Sequence, residues 1–107
     1  MNQASQNGIT PLCMAARLGH NEIIALLLRA PGIDVNLAME TGAAPLLLAV
    51  LEGHTEAVKL LLGAPGIEVN PATWGGFTPL FVATKNGYTE VANLLAEASA
   101  SMQVNET

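Results

Sequence analysis

The chain has 107 residues, which is enough for one domain. Half of its residues are hydrophobic but only 4% are aromatic, so the core must be built from Leu, Ile, Val and Ala, which favours stacked helices over a β-sandwich. The formal net charge of −5 argues against binding to nucleic acid, because that requires clustered Lys and Arg.

The cysteine content and the hydrophobic runs indicate the cellular compartment. The single cysteine, Cys13, excludes a disulfide within the chain and fits a reducing environment. Residues 1–6 are polar, which argues against a secretory signal, and the longest apolar run, residues 43–51, is roughly half of a membrane span. We therefore expect a soluble, cytoplasmic or otherwise intracellular chain that does not insert into a membrane.

One sequence pattern recurs three times with a spacing of 34 residues. Its markers are Pro11, Pro45 and Pro79, then Gly19, Gly53 and Gly87, and finally Leu27, Leu61 and Leu95. A period between about 20 and 50 residues indicates a solenoid, in which each copy buries its apolar face against its neighbours. The sequence therefore predicts an all-α repeat solenoid forming a single domain over residues 1–107. We place the copies at about 6–38, 39–72 and 73–98, followed by a C-terminal tail at 99–107.

Each copy begins with an inner helix. Thr10 and Thr78 are suited to cap it with a hydroxyl group, and each is followed by a proline, whose missing N–H costs nothing at the first helical position. Ala44 replaces the threonine in the second copy and lacks this cap. The predicted inner helices cover residues 12–18, 46–51 and 80–86, and the repeated glycine ends each one in a left-handed conformation.

A second helix follows each glycine. We predict Asn21, Thr55 and Thr89 as its N-caps, each followed by a glutamate that interacts favourably with the helix dipole. Its wide apolar stripe is typical of a helix packed between two others. Residues 30–36 and 64–70 then form a Pro-Gly stop and a short extended arm, which the third copy lacks.

Catalytic and metal sites are poorly supported. Cys13 and His20 are residue types that serve as nucleophile and base, but Cys13 occupies a repeat position that Phe81 holds in the third copy, which favours core packing. His20 and His54 lie in a turn where the third copy has Tyr88, which favours a local hydrogen bond over a metal site. The glycines follow the repeat period rather than a nucleotide-binding pattern. We predict no catalytic residue, no cofactor and no metal.

The repeating unit resembles the ankyrin repeat. The resemblance rests on Gly-Ile-Thr-Pro-Leu at 8–12, Ala-Ala at 15–16, Gly-His at 19–20 and Asp-Val-Asn at 34–36, with further copies at 42–70 and 76–98. It implies L-shaped repeats in which paired antiparallel helices stack and short β-hairpin fingers project sideways. The sequence departs from the family pattern where a histidine usually follows Thr-Pro-Leu, since Cys13, Leu47 and Phe81 occupy that position.

The resemblance also implies a partner-binding surface on the finger tips and on the exposed side of the inner helices. Carried over residue by residue, this surface comprises Gln6, Asn7, Ile9, Arg17, Leu18, Glu40, Thr41, Ala43, Leu51, Glu52, Trp74, Gly75, Phe77, Lys85 and Asn86. Trp74 and Phe77 are candidate hot spots, because large aromatic side chains without a core position often dominate interfaces. The alternative is that Trp74 packs on a neighbouring finger and Phe77 covers the inner helix.

We therefore predict a non-enzymatic protein–protein interaction module that binds a protein or peptide partner through its concave finger and inner-helix surface. Two alternatives stay open. The chain could be a targeting or scaffolding fragment of a larger protein or secreted effector, which would be delivered into a host cell. It could also be a self-associating structural element, since Met14, Ile23 and Leu26 would leave the first end of the stack apolar.

Overall fold

The described residues form six α-helices, two in each copy of the repeat. A computed structural model describes residues 10–39, 42–69 and 77–104. The helices are α1 (Pro11–Leu18), α2 (Asn21–Leu28), α3 (Pro45–Leu51), α4 (Thr55–Leu62), α5 (Pro79–Lys85) and α6 (Thr89–Val104). The described residues contain no β-strand.

The helices lie in two layers. The inner helices α1, α3 and α5 pack side by side in one layer, and α2, α4 and α6 pack side by side in the other. The two helices of each copy also pack against each other. This arrangement confirms the predicted all-helical repeat solenoid.

The predicted finger between α2 and α3 includes residues 40 and 41, which lie outside the described residues. The Gly42 N–H donates to the Met39 carbonyl at 2.8 Å, and the Met39 N–H donates to the Ala43 carbonyl at 3.0 Å. The corresponding finger of the next copy falls on residues 70–76, which lie outside the described residues.

The inner helices begin as the Thr-Pro pattern predicts. The Thr10 Oγ1 accepts from the Cys13 N–H at 3.1 Å, and the Thr78 Oγ1 accepts from the Phe81 N–H at 3.2 Å. Ala44 caps α3 without a side-chain hydrogen bond. The middle copy therefore lacks one stabilising interaction that its two neighbours have.

Restoring this cap gives a first prediction. Ala44→Thr should raise the free energy of unfolding by about 0.5–2 kcal/mol, because the Leu47 N–H would gain the acceptor that Thr10 supplies to Cys13. Thr10 is itself buried at the equivalent position, so the repeat accommodates this side chain. Urea denaturation measures the change. Ala44→Val is the matched control, because it has the same shape without a hydroxyl, and equal stabilisation by both variants would contradict the capping explanation.

The N-caps of the second helices differ from those predicted. Asn21 and Thr55 are the first residues of α2 and α4, while His20 and His54 precede them as caps without side-chain cap hydrogen bonds. The preceding glycine adopts a left-handed conformation, with φ of +74° at Gly19, and the chain enters the next helix one residue early. The His20 carbonyl then accepts the first helical hydrogen bond, from the Ile24 N–H at 3.0 Å.

The last helix is longer than predicted. We placed the end of the third copy at about Ala98 and a C-terminal tail at 99–107, but α6 continues to Val104. The first two copies stop at this place because a Pro-Gly pair follows their second helix. The third copy has Ser99 and Ala100 there instead, and neither residue breaks a helix as proline does.

The core confirms the interpretation of Cys13 and corrects that of Phe81. Cys13 and Leu47 are 0% and 3% exposed, whereas Phe81 at the equivalent position is 48% exposed. The first two lie under the next copy, and no further copy covers Phe81 among the described residues. The largest fully buried side chains include Leu12, Ile24, Leu46, Leu61 and Leu95.

Candidate partner-binding surface

Two repeat positions at the C-terminal ends of the inner helices are exposed in every copy. One position holds Arg17, Leu51 and Lys85, and the next holds Leu18, Glu52 and Asn86. All six are among the residues predicted for the partner-binding surface, and we refer to them together as the inner-helix surface.

Exposure in all three copies distinguishes this surface from the stacking positions, which are the repeat positions that pack one copy against the next. A stacking position is buried in the middle copy, as Leu47 is, while Leu51 remains 41% exposed there. Leu18 is 52% exposed at the neighbouring position. Because these two leucines fill no gap between copies, their apolar surface is available to another molecule.

Aromatic rings from the following copy hold the backbone of this surface. The His54 Nε2 lies 3.0 Å from the Arg17 carbonyl oxygen, and the Tyr88 O–H donates to the Leu51 carbonyl at 3.5 Å. We predicted a local hydrogen bond for these rings, but both contacts join two different copies. The sequence showed that His54 and Tyr88 occupy equivalent repeat positions, which indicated a shared contact. It did not show that the partner of each ring lies on the preceding copy.

The third copy adds an aromatic face along α5. The rings of Phe77 and Phe81 are 5.5 Å apart between centroids, and the Lys85 Nζ lies 5.9 Å from the Phe81 ring centroid. Phe81 contacts both Phe77, which precedes α5, and Lys85, at the end of α5, so it connects two of the predicted surface residues. The sequence prediction missed Phe81 because it assigned this position to the core.

The remaining predicted surface residues divide into two groups. Seven of them lie outside the described residues: Gln6, Asn7, Ile9, Glu40, Thr41, Trp74 and Gly75. Ala43 is described and is buried, so its side chain offers no contact area to a partner.

Cys13 is completely buried, and its Sγ–H donates to the Leu37 carbonyl at 3.5 Å. Across residues 10–39, 42–69 and 77–104, no three His, Cys, Asp or Glu side chains converge to hold a metal ion. No helix in these same segments is long and apolar enough to cross a membrane.

Sequence comparison agrees with the architecture. A family model described as Ankyrin repeats (3 copies) matches residues 1–73 and 41–106. A search of curated proteins found no significant match. The family model covers almost the entire chain, and its repeat count equals the number of helix pairs in the structure, so this chain belongs to the ankyrin-repeat family.

Proposed function

We propose that this chain binds a protein or peptide partner through its inner-helix surface. Ankyrin repeats are generally protein–protein interaction modules, and the family is typically non-catalytic. The observation that carries the proposal is the exposure of Leu18 and Leu51 at positions that do not contribute to stacking.

The chemistry of the surface indicates what kind of partner it would bind. Two leucines form its apolar part, and Arg17, Glu52 and Lys85 place charges of both signs around them. Interfaces typically combine an apolar centre with a polar rim. The matching partner is a segment with one or two apolar side chains flanked by both acidic and basic groups.

Further predicted contacts extend the surface beyond these residues. Asn86 continues the polar rim on the third copy, and the exposed Phe77 begins the aromatic face of α5. The family resemblance adds Ile9, Glu40 and Trp74 on the fingers. The proposal requires none of these three, because Leu18 and Leu51 alone define its apolar part.

Affinity capture from a lysate of the source organism, followed by measurement of the dissociation constant, tests the proposal. The double variant Leu18→Glu, Leu51→Glu should lose the captured partner, since each buried hot spot contributes about 2 kcal/mol, or roughly 30-fold in affinity. Circular dichroism checks that the variant is folded.

The matched control is Leu26→Glu, which introduces the same charge at an exposed leucine outside the inner-helix surface. This variant should bind the partner with unchanged affinity. Capture that survives the double variant would reject the inner-helix surface as the contact, and loss of capture by Leu26→Glu would move the contact to α2.

A second role, as a self-associating structural element, is favoured by a separate observation. Met14, Ile23 and Leu26 are all exposed in the first copy. Ile23 and Leu26 belong to α2 and are not part of the inner-helix surface, so substitutions there test this role separately from partner binding.

A further inference from the structure

The two ends of the stack expose opposite sides of the same repeat. At the position shared by Met14, Leu48 and Val82, only the first-copy residue is exposed, at 40% against 7% and 7%. At the position of Cys13, Leu47 and Phe81, only the third-copy residue is exposed. The first position therefore faces the preceding copy, and the second faces the following copy.

The first-copy face consists of Met14, Ile23 and Leu26. The residues equivalent to Ile23 are Ala57 and Val91, which are buried inside the stack. Leu26 is the most exposed large hydrophobic residue described, and its equivalents Leu60 and Leu94 are half-buried. The face that joins one copy to its predecessor is thus complete in the first copy and has nothing packed on it among the described residues.

The third-copy face consists of Phe77 and Phe81. The residue equivalent to Phe77 in the middle copy is Ala43, which is buried, so this position also faces the following copy. Each end of the molecule therefore exposes an apolar face. The equivalent positions in the other copies are buried where two copies pack together.

Polar groups at the two ends repeat the contacts made inside the stack. His54 and Tyr88 each contact a carbonyl 37 residues earlier, on the inner helix of the preceding copy. His20 is the first-copy equivalent of these residues, and its exposed ring has no hydrogen-bond partner among the described residues. The Lys85 carbonyl occupies the third-copy position of the two acceptors, those of Arg17 and Leu51.

A charged contact between copies follows the same pattern. The Lys59 Nζ lies 3.6 Å from the Glu90 Oε2, joining α4 to α6. Glu22 and Asn93 occupy the corresponding positions at the two ends, and both are exposed. An amide group donates to a carboxylate, so this pair is also complementary.

We propose that two copies of this chain associate head to tail, with the first-copy face of one molecule packed on the third-copy face of the next. This extends the self-associating role proposed above. The contact continues the inter-repeat interface: the His20 ring would donate to the Lys85 carbonyl of the neighbouring molecule, as His54 contacts Arg17 within the chain. A head-to-tail contact uses two different surfaces. The assembly therefore keeps one unpaired face at each of its ends, to which a further molecule can add.

Sedimentation velocity of the full chain over a series of concentrations tests this arrangement. The wild-type mass should increase with concentration. Leu26→Glu blocks the first-copy face and Phe81→Glu blocks the third-copy face, and each should weaken association by roughly tenfold or more. Mixing the two variants should give dimers and nothing larger, because one intact pair of faces remains.

Leu51→Glu is the matched control, since it places the same charge on an exposed leucine of the middle copy, outside both faces. It should associate like the wild type, and its loss of association would move the contact to the inner-helix surface. A wild type that stays monomeric at every concentration, or a variant mixture that gives no dimers, would overturn the proposal. Circular dichroism checks each variant, and Ile23→Glu tests the same face if Leu26→Glu does not fold.

Partner capture at low protein concentration, where the chain does not self-associate, tests partner binding separately from head-to-tail association. Capture depends on Leu18 and Leu51, whereas head-to-tail association depends on Leu26 and Phe81. Either result can therefore fail while the other holds.

Discussion

Leu61→Ala is expected to lower the free energy of unfolding by about 2–5 kcal/mol. Leu61 is completely buried in α4, which packs against α2 on one side and α6 on the other. The substitution removes apolar contacts and leaves a cavity in the middle of the stack. Because small domains are stable by only about 5–15 kcal/mol, the loss is a large share of the total, and urea denaturation followed by circular dichroism measures it.

Leu51→Ala provides the matched control for this prediction. It deletes the same atoms from an exposed leucine in the same copy, so its effect should stay within about 0.5 kcal/mol. Similar losses in both variants would mean that helix propensity or the unfolded state, rather than burial between α2 and α6, determines the cost.

Gly19→Ala is expected to destabilise the protein by about 1.5–3.5 kcal/mol, for two reasons that add. Gly19 has a φ of +74°, a conformation that costs other residues about 1–2 kcal/mol. A Cβ atom there would also lie 2.8 Å from the His54 Nδ1, so the ring would have to move from the Arg17 carbonyl, at a cost of about 0.5–1.5 kcal/mol.

Gly87→Ala separates the two contributions. Gly87 has a φ of +73°, and a Cβ atom there would have nothing within 4 Å, so only the backbone cost remains. The difference between the two variants, measured by urea denaturation, is the value of the ring contact. In a His54→Ala background that difference should disappear, and its persistence would show that His54 is not its source.

The local signals of the sequence predicted most helix boundaries closely. The proline of each copy predicted the start of the inner helix within one residue, and Thr10 and Thr78 added the predicted hydroxyl cap in two of the three copies. The assignments of Asn21 and Thr55 as caps were wrong, because the left-handed glycine brings the chain into the helix one residue early.

Contacts between copies were harder to predict than the helices. The repeat showed that His54 and Tyr88 are equivalent, but the ring partners lie 37 residues away and depend on how two copies stack. For the same reason Phe81 was assigned to the core: its position is buried only where another copy follows. The inner-helix residues came from family resemblance, and the burial of equivalent positions then distinguished Leu18 and Leu51 from stacking residues.

The burial of Cys13 makes the reactivity of its thiol a measure of how tightly the first two copies hold together. Its Sγ–H is bonded to the Leu37 carbonyl and has no exposed surface. A thiol reagent can reach it only when the first copy separates locally from the second or when the whole chain unfolds. Since the chain has one cysteine, every labelled molecule would report that opening event. The labelling rate of Cys13 therefore measures how often the interface between the first two copies opens.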